Sequence, residues 1–308
     1  MKLVRYHTPT GPKLGFLDGN SVVLAPNDKA FADTVSFIRS GKKGLALAKK
    51  ALKNPRAKRL PLSKTRLLAP ILPSTILCSG SNYTDHNAEK SNTPISGKEP
   101  EFFVKTSDCV VGPGEAIVHD DRLSRKIDCE TELAVVIGKE GRYIPEAKAL
   151  EHVFGYTIVN DVTARDRQVR QKDGVTWYEL GRGKAFDTSA PLGPCIVTQD
   201  ELGDPQNLAL KTRINGEPRQ SSHTGRMIWT CAQLIHFFST NFTLKPGMVI
   251  ITGTPSGTAW SVDKELGGKY SPQPGLVAAT RYCLPGDVIE SEIERIGILK
   301  NPIKAYAG

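Results

Sequence analysis

The stretch IDCETELAVVIG, from Ile127 to Gly138, reads as one β-strand. Val135, Val136 and Ile137 are β-formers, and Gly138 ends the run. Residues two apart share a face of a strand, so Glu130 and Glu132 point the same way, about 7 Å apart along the chain. Ala134 and Val136 continue that face and have the character of core positions. Like charges held side by side repel. Either a cation sits between the two carboxylates, or that end of the strand is solvated, as glutamates usually are.

Outward from this strand the chain is mostly short strands with turn punctuation. The pattern predicts strands at 75–79, 101–106, 115–119, 129–137, 155–161, 194–198, 208–214, 247–253 and 286–294, with Asn215-Gly216 as a turn. The clearest helix is TCAQLIHFFST, where Cys231, Leu234, Ile235 and Phe238 follow the i, i+3, i+4, i+7 spacing. There is no regular βα alternation, no GxGxxG and no internal repeat. The expected fold class is therefore α+β and β-rich, with residues 66–308 as the main domain. Residues 1–65 read as a small α+β N-terminal domain and linker. It has a strand in KLVRYH, a hairpin turning at Asp18-Gly19, and a helix in AFADTVSFIRSG that stops at Gly41. The basic stretch KNPRAKRLPLSKTRLLAPILPS reads as a connector.

Composition narrows the class. With 308 residues, 39% hydrophobic and 24% charged, the chain can bury a large core, and disorder is not expected. The longest uncharged stretch, Pro246 to Val262, is too rich in Pro, Gly and Thr for a membrane span. The first residues, MKLVRYHTPTGPKLG, lack a signal-peptide core, and six scattered cysteines without a CxxC pair fit reduced thiols, so a cytoplasmic protein is expected. Net charge is +9, and eight Lys or Arg fall between Lys42 and Arg59 with no acid. That stretch carries no aromatics and no reading helix, so a solvated helix face is expected, with no nucleic-acid partner.

Four further segments can carry chemistry. In GYTIVNDVTARDRQ, Asp161 ends an apolar strand, and Arg165 and Gln168 follow at helical spacing. The plain alternative has Asp161 capping a helix and pairing with Arg165. Together with Glu130 and Glu132, Asp161 makes a hard-oxygen set suited to Mg²⁺, and no nearby His favours zinc. In CSGSNYTDHNAEK, His86 and Glu89 are three apart. A carboxylate beside an imidazole fixes its tautomer and raises its basicity, although HxxE alone is more often a surface pair. In GRGKAFDTSAPLGP, Lys184 either meets substrate charge or is a surface lysine. In VIITGTPSG, backbone N–H groups and Thr254 either cradle a carboxylate or form a simple turn. This is not a P-loop, because GKS or GKT is missing.

In order, GSNYTDHNAE, DCETELAVVIGK, GYTIVNDVTARDRQ, GKAFDTSAPLGP, INGEPRQ, MVIITGTPSG and GDVIESEIERIGILKNPI resemble the fumarylacetoacetate hydrolase superfamily over roughly residues 66–304. The resemblance implies a β-roll-like catalytic domain, usually in a homodimer. It implies a divalent ion, usually Mg²⁺ with Mn²⁺ or Ca²⁺ as alternatives, held by Glu130, Glu132 and Asp161. It implies that His86 and Glu89 activate water, often from a lid, that Lys184 assists, and that Tyr83, Arg165, Gln168 and Thr254 line the substrate site. The chain departs where members often have Gly-Val-Gly after TGTP. Here Thr258-Ala259-Trp260 follows, with Trp260 expected to reshape the pocket mouth, and Trp177 and Tyr178 precede Lys184. The expected activity is hydrolysis of a carbon–carbon bond in a β-diketo acid, of acylpyruvate or fumarylpyruvate type, in aromatic-compound catabolism. The alternative is isomerisation or decarboxylation of 2-hydroxy-dienedioate or oxaloacetate-type acids on the same site. A non-catalytic binding protein is the contrasting class.

Overall fold

A computed structural model of the chain describes residues 1–89 and 98–308. Lys90, at the end of the His86 segment, lies outside the described residues. One long sheet runs in the order 59–61, 21–24, 13–18, 2–6, 190–198, 153–160, 131–137, 249–251, 76–80, 101–105. Neighbours along it are antiparallel except for Val249–Ile251 beside Ile76–Gly80. A five-stranded sheet, 217–223, 209–214, 288–293, 297–305 and 117–119, packs against it. This is the expected β-rich architecture with few helices.

Every residue of the Thr131–Ile137 strand is buried, because both its faces are covered. Leu133, Val135 and Ile137 join one core with Leu234, Ile235 and Phe238 of the helix Cys231–Asn241. Thr230 and Gln233 form a capping box at the start of that helix, a feature contributing about 1 kcal/mol. Ala134 and Val136 face a second core with Phe16, Phe31 and Phe37. All nine strands expected from residue 75 onward are present.

Several expectations need correction. Ile127–Gly138 is not one strand. Ile127–Asp128 pairs with Thr163–Ala164, Cys129 and Glu130 leave the ladder, and the strand resumes at Thr131. The ladder opens because the Glu130 N–H donates to the Asn160 side chain at 2.9 Å, while the Glu130 carbonyl accepts from Asp161 N–H at 2.8 Å. Gly41, with φ +54°, ends Thr34–Arg39, but a second helix, Gly41–Lys53, starts at once and exposes Lys42, Lys43, Lys49, Lys50 and Lys53. The connector contributes Arg59–Pro61 and Leu67–Leu68 to the long sheet. The first strand pairs Leu3 with Ile196, so the residues before 66 share that sheet with the rest. No helix among the described residues is long and apolar enough to cross a membrane.

Candidate active site

The sheet register assembles the acids. Thr131 pairs with Asn160, so Glu130, Glu132 and Asp161 meet at the ends of adjacent strands. They are 3%, 2% and 1% exposed, and one oxygen of each lies within 4.8 Å of the others. The solvated-edge alternative therefore fails.

Three cations face these acids. Lys184 Nζ lies 2.5 Å from Glu130 Oε2 and 2.6 Å from Asp161 Oδ2. Arg165 pairs with Glu130 at 2.5 Å and with Asp128 at 2.9 Å. Lys105 lies 2.8 Å from Asp161 Oδ1, close enough for an ion pair but not aligned as a hydrogen bond. Asp161 neither caps a helix nor pairs with Arg165. Its strand carries it to the lysines, and the turn Arg165–Gln168 begins beyond it with Ala164 in the cap position. The Arg165 guanidinium also donates to Gln168 Oε1 at 2.9 Å and lies 5.0 Å from the Trp260 ring. Gly183 allows this closeness: a Cβ there would lie 2.4 Å from the Gln168 side chain and 2.6 Å from its Cα.

No ion pair reaches Glu132 among the described residues. Its Oε2 accepts one backbone N–H, from Gly253 at 2.6 Å. Burial, then Asp161 and Glu130, push its carboxyl well above the usual range. Glu130 goes the other way: burial alone would raise it, but Lys184 and Arg165 outweigh that and hold it far below. Two neighbouring glutamates thus have opposite preferences for a proton. A buried carboxyl with no ion pair among the described residues, beside an Asp161 oxygen with no aligned donor there, is what a divalent cation would satisfy. The all-oxygen donor set fits Mg²⁺ or Mn²⁺.

His86 Nδ1 contacts Glu89 Oε2 at 2.9 Å, and both side chains are buried rather than a surface pair. Gly257 N–H donates to Glu89 Oε1 at 2.6 Å, and Thr258 Oγ1 lies 3.3 Å from Oε2. Burial raises Glu89 to about 8, with the Gly257 N–H acting against it. The rings of His86 and Trp260 are 6.4 Å apart.

His86, Arg165, Gln168, Lys184 and Thr254 line one cavity of about 30 Å³ with the three acids. Thr254 turns its hydroxyl to Thr131 O at 2.9 Å and accepts from Gln220 at 3.0 Å. Tyr83 is not brought into this lining. It is fully buried in the core that holds Leu234 and Phe238, and its hydroxyl has no hydrogen-bond partner among the described residues. Trp260 is only 3% exposed, so it backs Arg165 instead of forming a mouth.

Lys105 and Asp128 also belong to the site, beyond the residues the sequence predicts. Lys105 had one signal, a lysine two after Phe103 on the inward face of a strand. Its Nζ also donates to Ser189 O at 2.7 Å. Asp128 accepts from Arg165 and from the backbone of Ala259 and Trp260, contacts that no local pattern announces.

Residues 75–304 match the family described as fumarylacetoacetate (FAA) hydrolase C-terminal. The chain is 38% identical over 310 residues to a Homo sapiens protein named oxaloacetate tautomerase FAHD2A, mitochondrial, covering 98% of this chain and 91% of that one. Among solved structures, a fumarylacetoacetate hydrolase from Exiguobacterium antarcticum is 34% identical with a TM-score of 0.79, covering 99% of this chain and 100% of that one. A maleylpyruvate hydrolase from Sphingobium sp. SYK-6, in complex with manganese(II) and pyruvate, is 26% identical with a TM-score of 0.77, covering 100% of both chains.

Proposed function

The chain belongs to the fumarylacetoacetate hydrolase family, and from that premise we propose that it is a divalent-metal enzyme interconverting the keto and enol forms of an oxaloacetate-type diacid. The observation that carries this reading is Glu132, which has no ion pair among the described residues, beside Glu130 and Asp161 in a cavity that also presents His86. Its polar lining, with Lys184 and Thr254 beside the acids, suits a small oxo diacid. The name of the FAHD2A relative, similar over nearly the whole chain, points the same way.

Glu130, Glu132 and Asp161 would hold Mg²⁺ or Mn²⁺, which as a Lewis acid polarises the oxygens of a 2-oxo acid. Lys184, held by Glu130 and Asp161, places an ammonium where negative charge develops on the substrate. With Nδ1 engaged by Glu89, His86 would exchange the C3 proton through Nε2. Arg165 donates to Asp128, Glu130 and Gln168, so one of its tasks is to fix Glu130.

A second reading rests on the His86–Glu89 contact. The same pair can deprotonate a water, and attack of that water on an acylpyruvate would cleave a carbon–carbon bond. Decarboxylation of oxaloacetate is the third outcome on this site. The test is ultraviolet decay of enol-oxaloacetate with Mg²⁺ or Mn²⁺ and with EDTA, beside acetylpyruvate and fumarylpyruvate, with product identification. Metal-dependent loss of the enol signal without pyruvate supports the tautomerase. Cleavage of an acylpyruvate alone transfers the assignment to the hydrolase. The reading also includes a homodimer, supported by the exposed Phe102 and Val104 on the strand that ends the long sheet. Light scattering at the monomer mass would remove that part.

A further inference from the structure

Cys129 and Cys283 come from parts of the chain 154 residues apart, yet their sulfurs lie 3.3 Å from each other. Both are 3% exposed. Their backbones are fixed: Cys283 N–H donates to Ile127 O at 2.9 Å, and Cys129 N–H donates to Asp128 Oδ1 at 2.9 Å. The thiols of Cys78 and Cys195 face backbone carbonyls instead. Both members of the pair line a second cavity of about 190 Å³, walled also by Asp128, Arg281, Tyr282 and Asp287. That volume admits a molecule the size of hydrogen peroxide several times over. Cys129 stands between Asp128, which anchors Arg165, and Glu130, which the acid site uses.

We infer that Cys129 and Cys283 form a redox site, which a hydroperoxide closes into an intramolecular disulfide that weakens metal binding at the adjoining acids. In the first step one thiol loses its proton and its sulfur attacks a peroxide oxygen, the O–O bond breaks, and the departing hydroxide takes that proton, leaving a sulfenic acid and one water. In the second step the neighbouring thiol loses its proton and its sulfur attacks the sulfenic sulfur, the S–O bond breaks, and the departing hydroxide leaves with that proton as a second water. Two thiols and one peroxide give one disulfide and two waters, and a thiol reductant reverses the change. Burial makes the pair slow to meet oxidant, so it responds to sustained rather than brief exposure.

Closure draws the sulfurs from 3.3 Å to about 2.05 Å. Part of that motion passes into the backbone of Cys129, and so into Glu130 and the Asp128 carboxylate that holds Arg165. Disturbing groups that orient metal ligands typically costs 10–100-fold in metal affinity, so a loss of about tenfold is expected. This second half rests on the metal reading above, and the first half does not.

The test treats the full-length folded protein with hydrogen peroxide, alkylates it under denaturing conditions, and maps tryptic peptides. Cleavage at Lys and Arg places Cys129 in Ile127–Lys139 and Cys283 in Tyr282–Arg295, each as the only cysteine. The expected result is a dithiothreitol-sensitive link between these two peptides, absent in C283S. Mn²⁺ titration should then show about tenfold weaker binding by the linked form, restored by reduction. Full alkylation of both cysteines after peroxide, or sulfinic acid at either without a link, overturns the site, and the wild-type map alone decides this even if C283S fails to fold. A link with unchanged Mn²⁺ affinity overturns the coupling. Reduced protein that binds no Mn²⁺ overturns the coupling through the metal reading itself, and the peptide map tells that failure from failure of the site.

Discussion

Glu132 stands on a strand paired residue by residue, with Glu130 and Asp161 one residue beyond the paired ends Thr131 and Asn160, whereas His86 and Glu89 stand on and just beyond one short helix, Thr84–Ala88. The acids keep their spacing because slipping the register by one residue would turn each side chain to the other face. The His86 half is held by contacts with later loops. Gly257 and Thr258 hold Glu89, Ser256 contacts Asp85 at 3.1 Å, and Asn82 donates to Thr252 O at 2.8 Å. The sheet thus fixes where a cation would sit, and the loops fix where the proposed proton-transferring group, His86, would act. Changes in the two halves should separate in experiment.

The largest effect is expected in the strand half. Glu132→Gln or Asp161→Asn should lose bound metal and turnover together, by about 10³-fold or more in kcat/KM, a loss of several kcal/mol of charge stabilisation. Metal analysis on the purified variants checks this. In the loop half, His86→Ala should lower kcat by about 10²–10⁴-fold with metal still bound. Near-normal turnover by that variant would remove His86 from the chemistry. Gly257→Ala sharpens the contrast. Gly257 has φ +106°, and a Cβ there would lie 2.0 Å from Arg219 O. Unfolding should register a loss of about 1–3 kcal/mol, and kcat should fall while metal affinity holds.

The sequence revealed the strand half more fully than the loop half. The apolar runs within 131–137 and 153–160 could be read locally, because a strand's burial pattern is written in its own residues. The helix Cys231–Asn241 was equally plain. The polar strand Glu217–His223 and the Pro-containing Gly297–Ala305 were not, since their pairing depends on partners far along the chain. Within the site, the types and spacing of Glu130, Glu132 and Asp161 left a cation and a solvated edge both open, and the resemblance favoured the cation. The commitment of Arg165 to Asp128, and the burial of Trp260 on that guanidinium, depend on contacts spanning 37 and 95 positions. Tyr83 shows the opposite failure: it lies inside a motif-like segment, yet its side chain belongs to the core.

The smallest expected effect is on stability against pH. Burial raises Glu89 from 4.5 to about 8, so the folded chain takes up a proton that the unfolded chain lacks between those values. Stability should therefore fall as pH rises from 4.5 to 8, and Glu89→Gln should flatten that part of the curve. Urea unfolding in EDTA at several pH values measures the slope.

The central claim of the proposed function is that Glu132, with Glu130 and Asp161, holds a divalent ion. Calorimetric titration of the wild-type chain and Glu132→Gln with Mn²⁺, in two buffers of different ionisation heat, tests it most directly. Burial, Asp161 and Glu130 hold the Glu132 proton well above the usual carboxylate range, so binding should release a proton and tighten as pH rises. The account predicts one ion per chain with proton release, both lost in Glu132→Gln. An ion bound equally by the variant, or none bound by the wild type, would contradict it.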